Sequence, residues 1–174
     1  MLDLIRAKRR SHNPPTHDLF DRVSLKRRAT LFDLDDTWRM SNASYLKFMT
    51  RGRLEHTIAS GLLKQMLAQQ CRIIVANSEI TYIKSFALHQ EFYLRTRLLG
   101  WDEKYFYYDQ RFDTEDTLHT HALLRCVPKH ESTLLTPRVF LEMAGFNRLS
   151  PALPEYIDSW KVMLKDKKRY SFPG

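Results

Sequence analysis

The stretch Phe32-Asp33-Leu34-Asp35-Asp36-Thr37-Trp38-Arg39-Met40-Ser41-Asn42-Ala43-Ser44-Tyr45-Leu46 sets three carboxylates beside an arginine, an asparagine and a tyrosine. A carboxylate can take a proton or attack a carbonyl, and amide donors close to it can hold the oxyanion that results. Repulsion from Asp33 and Asp36 would raise the pKa of Asp35, and a nearby Arg39 would lower it. Each residue also has a plainer use. Asp35 can cap a helix or pair with Arg39, and Asn42 can itself be the helix N-cap. Arg39, a fixed cation suited to anion binding, can equally be the ion-pair partner of Asp33 or Asp36. Tyr45 is read as a wall of a pocket rather than as a reacting group.

These side chains need elements to hold them. Over Arg22 to Phe32 the pattern Val23, Leu25, Thr30, Phe32 suits a strand running into the acidic cluster. After the cluster, Leu54, Ile58, Leu62 and Met66 recur at i+4, joined by Phe48, Ala59 and Leu63, the apolar face of a long helix capped by Asn42 or Ser44. Gly52 and Gly61 lie inside it, each costing about 1 kcal/mol relative to alanine. Either the helix comes very close to a sheet at a glycine or it breaks at one.

Four strand-like segments follow: Cys71 to Ile83, Glu91 to Leu99, Lys104 to Phe112 and Leu118 to Val127, with turns at 100–103 and 113–116 and Pro128 as the stop. Phe106, Tyr108 and Phe112 share one face of their strand, leaving the other side of the Tyr105–Tyr108 run for a dimer or pocket surface. Thr136-Pro137 opens a short helix, Arg138 to Ala144, closed by Gly145. Pro151 and Pro154 precede a last amphipathic segment around Tyr156, Ile157 and Trp160. The order β, long α, four β and small C-terminal helices is α+β: one antiparallel sheet packed on one long helix. We divide the chain into a basic, loosely structured lead-in over 1–21, a domain over 22–145 and a C-terminal helical extension over 146–174.

Composition narrows the function classes. At 174 residues with 43% hydrophobic and 28% charged content, the chain has the make-up of one globular domain with a real core. No run approaches the length of a membrane span and the N-terminus carries no signal peptide, which predicts a cytoplasmic protein. Cys71 and Cys126, far apart, fit idle thiols of a reducing compartment. His119 and His121, two apart on a strand, face one side but have no third ligand, so no metal site and no cofactor is expected. The net charge of +8, concentrated in Arg6, Lys8, Arg9 and Arg10 and in Lys165, Lys167, Lys168 and Arg169, accompanies no nucleic-acid motif. No glycine-rich phosphate loop and no G-x-S-x-G elbow is present.

The acidic stretch resembles the motif of the hotdog-fold thioesterases of the 4-hydroxybenzoyl-CoA thioesterase type, roughly Asp-x-Asp-x-x-x-His-Met-Asn-Asn-x-x-Tyr-Leu before a helix carrying an arginine. Here it reads Asp33-Leu34-Asp35, then Arg39-Met40-Ser41-Asn42-Ala43-Ser44-Tyr45-Leu46, then Arg53. Glu79-Ile80-Thr81-Tyr82-Ile83-Lys84-Ser85-Phe86 is similar to the family's second strand. Thr96-Arg97-Leu98-Leu99-Gly100-Trp101-Asp102-Glu103-Lys104-Tyr105-Phe106-Tyr107 narrows the resemblance to the thioesterase superfamily member 6-like proteins. It covers about residues 22–145 and implies a curved sheet wrapped around a helix, subunits paired edge to edge as a dimer or tetramer, and acyl-CoA as substrate.

On that resemblance Asp35 is the catalytic base or nucleophile and Asn42 its helper, with Arg39, Tyr45 and Lys84 at the substrate. Lys84, with Arg95 and Arg97, can meet CoA phosphates or be no more than the wet face of a strand. Arg39 stands where the family carries histidine, and Ser41 where it carries its first asparagine. A helix carboxylate that some members have near Thr50 is absent, with Glu55 a little further along. The expected function is a hydrolase releasing a free acid and CoA. The alternative is a hotdog protein that binds acyl-CoA or an acylated carrier without cleaving it.

Overall fold

The computed structural model describes residues 7–171; Arg6 of the N-terminal basic cluster lies outside the described residues. One antiparallel sheet dominates. Its strands are β1 (Val23–Arg28), β2 (Cys71–Tyr82), β3 (Glu91–Trp101), β4 (Phe106–Asp113), β5 (Leu118–His130) and the two-residue β6 (Thr133–Leu134). They lie in the order β1-β3-β4-β5-β2, with β6 on β5. The helices are α1 (Asn42–Ala59), α2 (Leu62–Ala68), α3 (Pro137–Met143) and α4 (Glu155–Ser171). This is the hotdog arrangement: a curled α+β sheet closing on a central helix.

Alternation along the strands makes the core. Leu94, Leu98, Phe106, Tyr108, Phe112, Ala122 and Leu124 point inward and pack with Tyr45, Phe48 and Met49 of α1. Gly52 lets α1 lie against the sheet, because a Cβ there would sit 2.5 Å from Thr96 Oγ1 and 2.7 Å from Gln110 Nε2. Gly61, at φ 75°, ends the helix and starts α2. Both consequences expected of glycine in this helix therefore occur, one at each residue.

The outward face holds a second cluster, Leu99, Tyr107 and Leu123, covered by Ile157 and Trp160 of α4. The outer side of the aromatic run is thus occupied by the chain's own C-terminal helix, where a dimer or pocket surface was expected. That helix is long, 17 residues, and not small.

Other boundaries shift for local reasons. β1 ends at Arg28 and a 3₁₀ turn, Leu31–Asp33, replaces its predicted end, leaving Phe32 93% exposed. β5 continues through Pro128 to His130. The Pro128 carbonyl accepts from Leu135 N–H, on the side β4 has already left, so the missing proline donor breaks no bond to β4. The lead-in is packed: residues 7–10 are helical, Ala7 and Leu19 are buried, and Thr16 and His17 donate to Ala59 O.

Candidate functional site

The acidic stretch folds as a tight hairpin between the 3₁₀ turn and α1. Asp35 N donates to Arg39 O at 2.9 Å and Trp38 N to Asp35 O at 3.1 Å, closing a loop bridged by Leu34 and Met40. Trp38 sits at φ 59°, the left-handed conformation that such loops need at their last position. Met40 N donates to Phe86 O, and Arg39 bridges Ala87, so the hairpin is fastened to the segment that follows β2.

The three carboxylates have different environments. Asp33 is buried, and Thr30 donates to its Oδ2 from both N (3.0 Å) and Oγ1 (2.6 Å), while Lys47 Nζ lies 3.6 Å from Oδ1. It ties the hairpin to β1's end. Asp35 is exposed. Its Oδ1 accepts from Thr37 N (2.9 Å), Thr37 Oγ1 (2.6 Å) and Arg39 N (3.4 Å); among the described residues no donor reaches Oδ2. The Thr37 hydroxyl, helped by the two backbone donors, holds the Asp35 carboxyl below its usual range. The raising expected from Asp33 and Asp36 does not appear among the main influences on it; what opposes the hydrogen bonds is desolvation, and they outweigh it. Asp36 is exposed as well.

Ser41, not Asn42 or Ser44, is the N-cap of α1, accepting from Ser44 N at 3.2 Å. Serine at this position thus has a structural use of its own. Asn42 and Ala43 are exposed at the first turn, where a helix supplies no acceptors for its own N–H groups. Arg39 is exposed beside them. Tyr45 is 2% exposed, ringed edge-on by Tyr82 and Phe112, and its hydroxyl makes no hydrogen bond among the described residues, burial raising its pKa. It is core. Lys84 is exposed, with its backbone carbonyl taken by His119 Nδ1 at 3.1 Å. The structure groups Asp35, Arg39 and Asn42 around one exposed hairpin and places Tyr45 beneath it.

A cavity of about 730 Å³ opens between the 7–10 segment, the end of β1, the 3₁₀ turn and α1; Thr30, Phe32 and Asp33 line it, and no residue from Leu34 to Asn42 does. Phe48, Leu54, Ile58 and Ala7 form its apolar wall, and Arg27, Arg28 and Lys47 are among the cations at its rim. Of the sequence-stretch carboxylates only Asp33 lines it. Glu55 lines it too, buried and held by Arg10 at 2.7 Å, so it is no free base. Phe48, Leu54 and Ile58 belong to the apolar face expected of the helix; that the lead-in, with Ala7, packs beside them to form a cavity wall is not signalled by the periodicity.

The two histidines part company. A bulge between Phe112 and Asp113 pairs Asp113 with Leu118, leaving His119 without a partner across the ladder. The His119 ring stacks on core Phe86 at 4.1 Å, whereas His121 reaches Asp109 on the outer face at 2.6 Å. Among the described residues no group of three or more His, Cys, Asp or Glu is placed to hold a metal, and no helix is long and apolar enough to cross a membrane. Cys71 and Cys126 are free and buried.

Comparison with known proteins agrees with this architecture. The sequence pattern of the thioesterase-like superfamily matches residues 30–160. Protein THEM6 of Danio rerio is 34% identical over 112 residues, covering 64% of this chain and 55% of that protein. Protein THEM6 of Xenopus laevis is 31% identical over 147 residues, 84% of this chain and 70% of the relative. The chain therefore spans little more than half the length of the Danio rerio relative. Among solved structures, the probable thioesterase YbaW of Escherichia coli superposes with a TM-score of 0.63 at 21% identity, covering 70% of this chain and 97% of its own. Hypothetical protein SAV2348 of Staphylococcus aureus, solved in complex with CoA, gives 0.58 at 17% identity over 81% and 94%.

Proposed function

The chain belongs to the thioesterase-like superfamily, and on that premise we propose that it hydrolyses an acyl-CoA thioester at the Asp35 hairpin. The observation that carries this is the asymmetric Asp35 carboxylate: Oδ1 anchored by Thr37 and Arg39, Oδ2 open, the group exposed and ionised at neutral pH. Oδ2 takes a proton from water, whose oxygen adds to the thioester carbonyl. Backbone N–H groups at the start of α1, Asn42 and Ala43, hold the oxyanion, and the Asn42 amide orients the water. Collapse breaks the C–S bond, and the thiolate leaves with the proton that Asp35 had taken. The same carboxylate can instead attack the carbonyl directly, giving a mixed anhydride that water then opens.

The apolar cavity between the 7–10 segment, β1 and α1 suits an acyl chain, and its cationic rim suits an anionic carrier. Arg39 then acts as an electrostatic contact, not a proton donor. We further propose a homodimer joined along β2, whose far edge has no partner strand among the described residues.

Thiol release from a panel of acyl-CoAs tests the hydrolysis. Asp35→Asn is expected to abolish release while the circular dichroism spectrum stays unchanged, the residue being exposed. The second reading is a binding protein without hydrolysis, favoured by Glu55 being locked to Arg10 and Arg39 standing in place of a titratable group. Tight acyl-CoA binding with no thiol from any member of the panel establishes that reading instead.

A further inference from the structure

The outward face of the sheet carries a group that the hairpin site does not use. Arg97 and Asp109 are directly paired across β3 and β4, and Arg111 and His121 across β4 and β5; Arg22, just before β1, reaches the same point. Asp109 is wholly buried and is the hub. Its Oδ1 takes His121 Nε2 at 2.6 Å, and its Oδ2 faces Arg22 Nη2 at 3.1 Å, Arg111 Nε at 3.5 Å and Arg97 Nε at 3.6 Å.

One carboxylate cannot satisfy three guanidinium groups. Among the described residues only Arg22 makes a hydrogen bond to Oδ2; the buried Nε atoms of Arg97 and Arg111 stand at ion-pair distance from it and make no hydrogen bond. Three arginines against one aspartate leave a formal excess of two positive charges at one point, His121 left out of the count. Neighbouring Arg95 adds nothing to it, because Asp113 neutralises it with two hydrogen bonds at 2.9 and 3.0 Å. The Arg97 and Arg111 side chains are 38% and 41% exposed although their Nε atoms are buried, so the rest of each side chain meets solvent.

Converging like charges on a rigid sheet are costly unless something answers them, and planar guanidinium forks match phosphoryl oxygens two at a time. The excess of two charges equals the charge of a phosphate monoester dianion. We propose that the Arg22, Arg97 and Arg111 cluster around Asp109, on the face of the sheet away from α1, binds a phosphate monoester dianion. Asp109 sets the spacing of the arginines, and the ligand's oxygens accept from the Nη groups of Arg97 and Arg111, with Arg22, held on Asp109 by Nη2, adding its charge beside them.

Isothermal titration calorimetry of the full chain tests this with inorganic phosphate and with glycerol 3-phosphate. Co-sedimentation with phosphatidylcholine vesicles, with and without phosphatidic acid, distinguishes a soluble ligand from a lipid headgroup. Wild-type protein is expected to bind both soluble probes, and R97Q/R111Q to bind them at least roughly tenfold more weakly. K165Q/K168Q, which removes the same charge from the exposed face of α4, is expected to bind like wild type. Phosphatidic acid-dependent sedimentation lost in R97Q/R111Q assigns the headgroup as ligand; binding of the soluble probes alone assigns a soluble monoester. The proposal is overturned by an absence of phosphate binding in wild type, by unchanged binding in R97Q/R111Q, or by equal weakening in K165Q/K168Q, which would mean diffuse charge. Phosphate should also raise the thermal midpoint of wild type and not of R97Q/R111Q, which keeps loss of the site distinct from loss of the fold.

Discussion

Asp35 is exposed, so the charge of its carboxylate is set by the donors around Oδ1 and not by burial. The strongest of them is the Thr37 hydroxyl at 2.6 Å, which favours the ionised form and lowers the pKa. Thr37→Val removes that donor and keeps the backbone N–H at 2.9 Å. The pKa of Asp35 then rises toward the ordinary value of about 4. If Asp35 is the base, the acid limb of the kcat/KM profile moves to higher pH in Thr37→Val, with the rate near neutrality changed only a few-fold. An acid limb that stays in place would remove Asp35 from the role of titrating base. The sign for stability follows the same direction: a lowered carboxylate pKa adds stability above the unfolded-state value and loses it as pH falls through the folded-state value. Thr37→Val therefore gives up a little acid tolerance, a small effect for a group in water.

At the scale of elements, the glycines of α1 show what sequence can and cannot carry. Two helix-breaking residues in an otherwise periodic helix signal a tertiary reason, and the structure supplies one for each: close approach at Gly52 and a left-handed turn at Gly61. Gly52→Ala gains about 1 kcal/mol of helix propensity but pushes a methyl into Thr96, Gln110 and Leu94. Overpacking of a fixed core costs about 1–3 kcal/mol, so a net loss in urea unfolding is expected. Unchanged or higher stability would mean that α1 can slide off the sheet. The strands, their alternation and the strand-to-helix position of the acidic hairpin were legible, because period and turn chemistry are local. Three features were not. Pro128 reads as a stop until β4's earlier end is known, and His119 reads as a neighbour of His121 until the bulge separates them. The Arg10–Glu55 contact joins residues 45 positions apart, and with it the wall of the cavity. Each depends on which strand or helix ends first, and that is a tertiary fact.

For the whole molecule, the two edges of the sheet differ in how they meet water. β1 is 6 residues long and carries Lys26, Arg27 and Arg28, charges of the kind that keep an edge from pairing with another chain. β2 is 12 residues long, and Ile74, Val75, Tyr82 and, just beyond its end, Ile83 are exposed on it. A long apolar edge of this kind invites pairing, and in the dimer proposed above a second copy would cover it symmetrically. Sedimentation of wild type is expected to give a dimer, and Ile74→Lys a folded monomer, since Ile74 is already 39% exposed in the single chain. The consequence for activity follows from connectivity. β2 runs on into Phe86 and Ala87, which clasp the Asp35 hairpin through Met40 N and the Arg39 bridge. Pairing at β2 would therefore steady the segment on which the hairpin rests. Monomeric Ile74→Lys is expected to lose most of its thiol release with Asp35 intact, whereas Asp35→Asn loses it as a dimer. A monomeric variant with full kcat/KM would show that one chain holds a complete site and that the edge serves assembly alone.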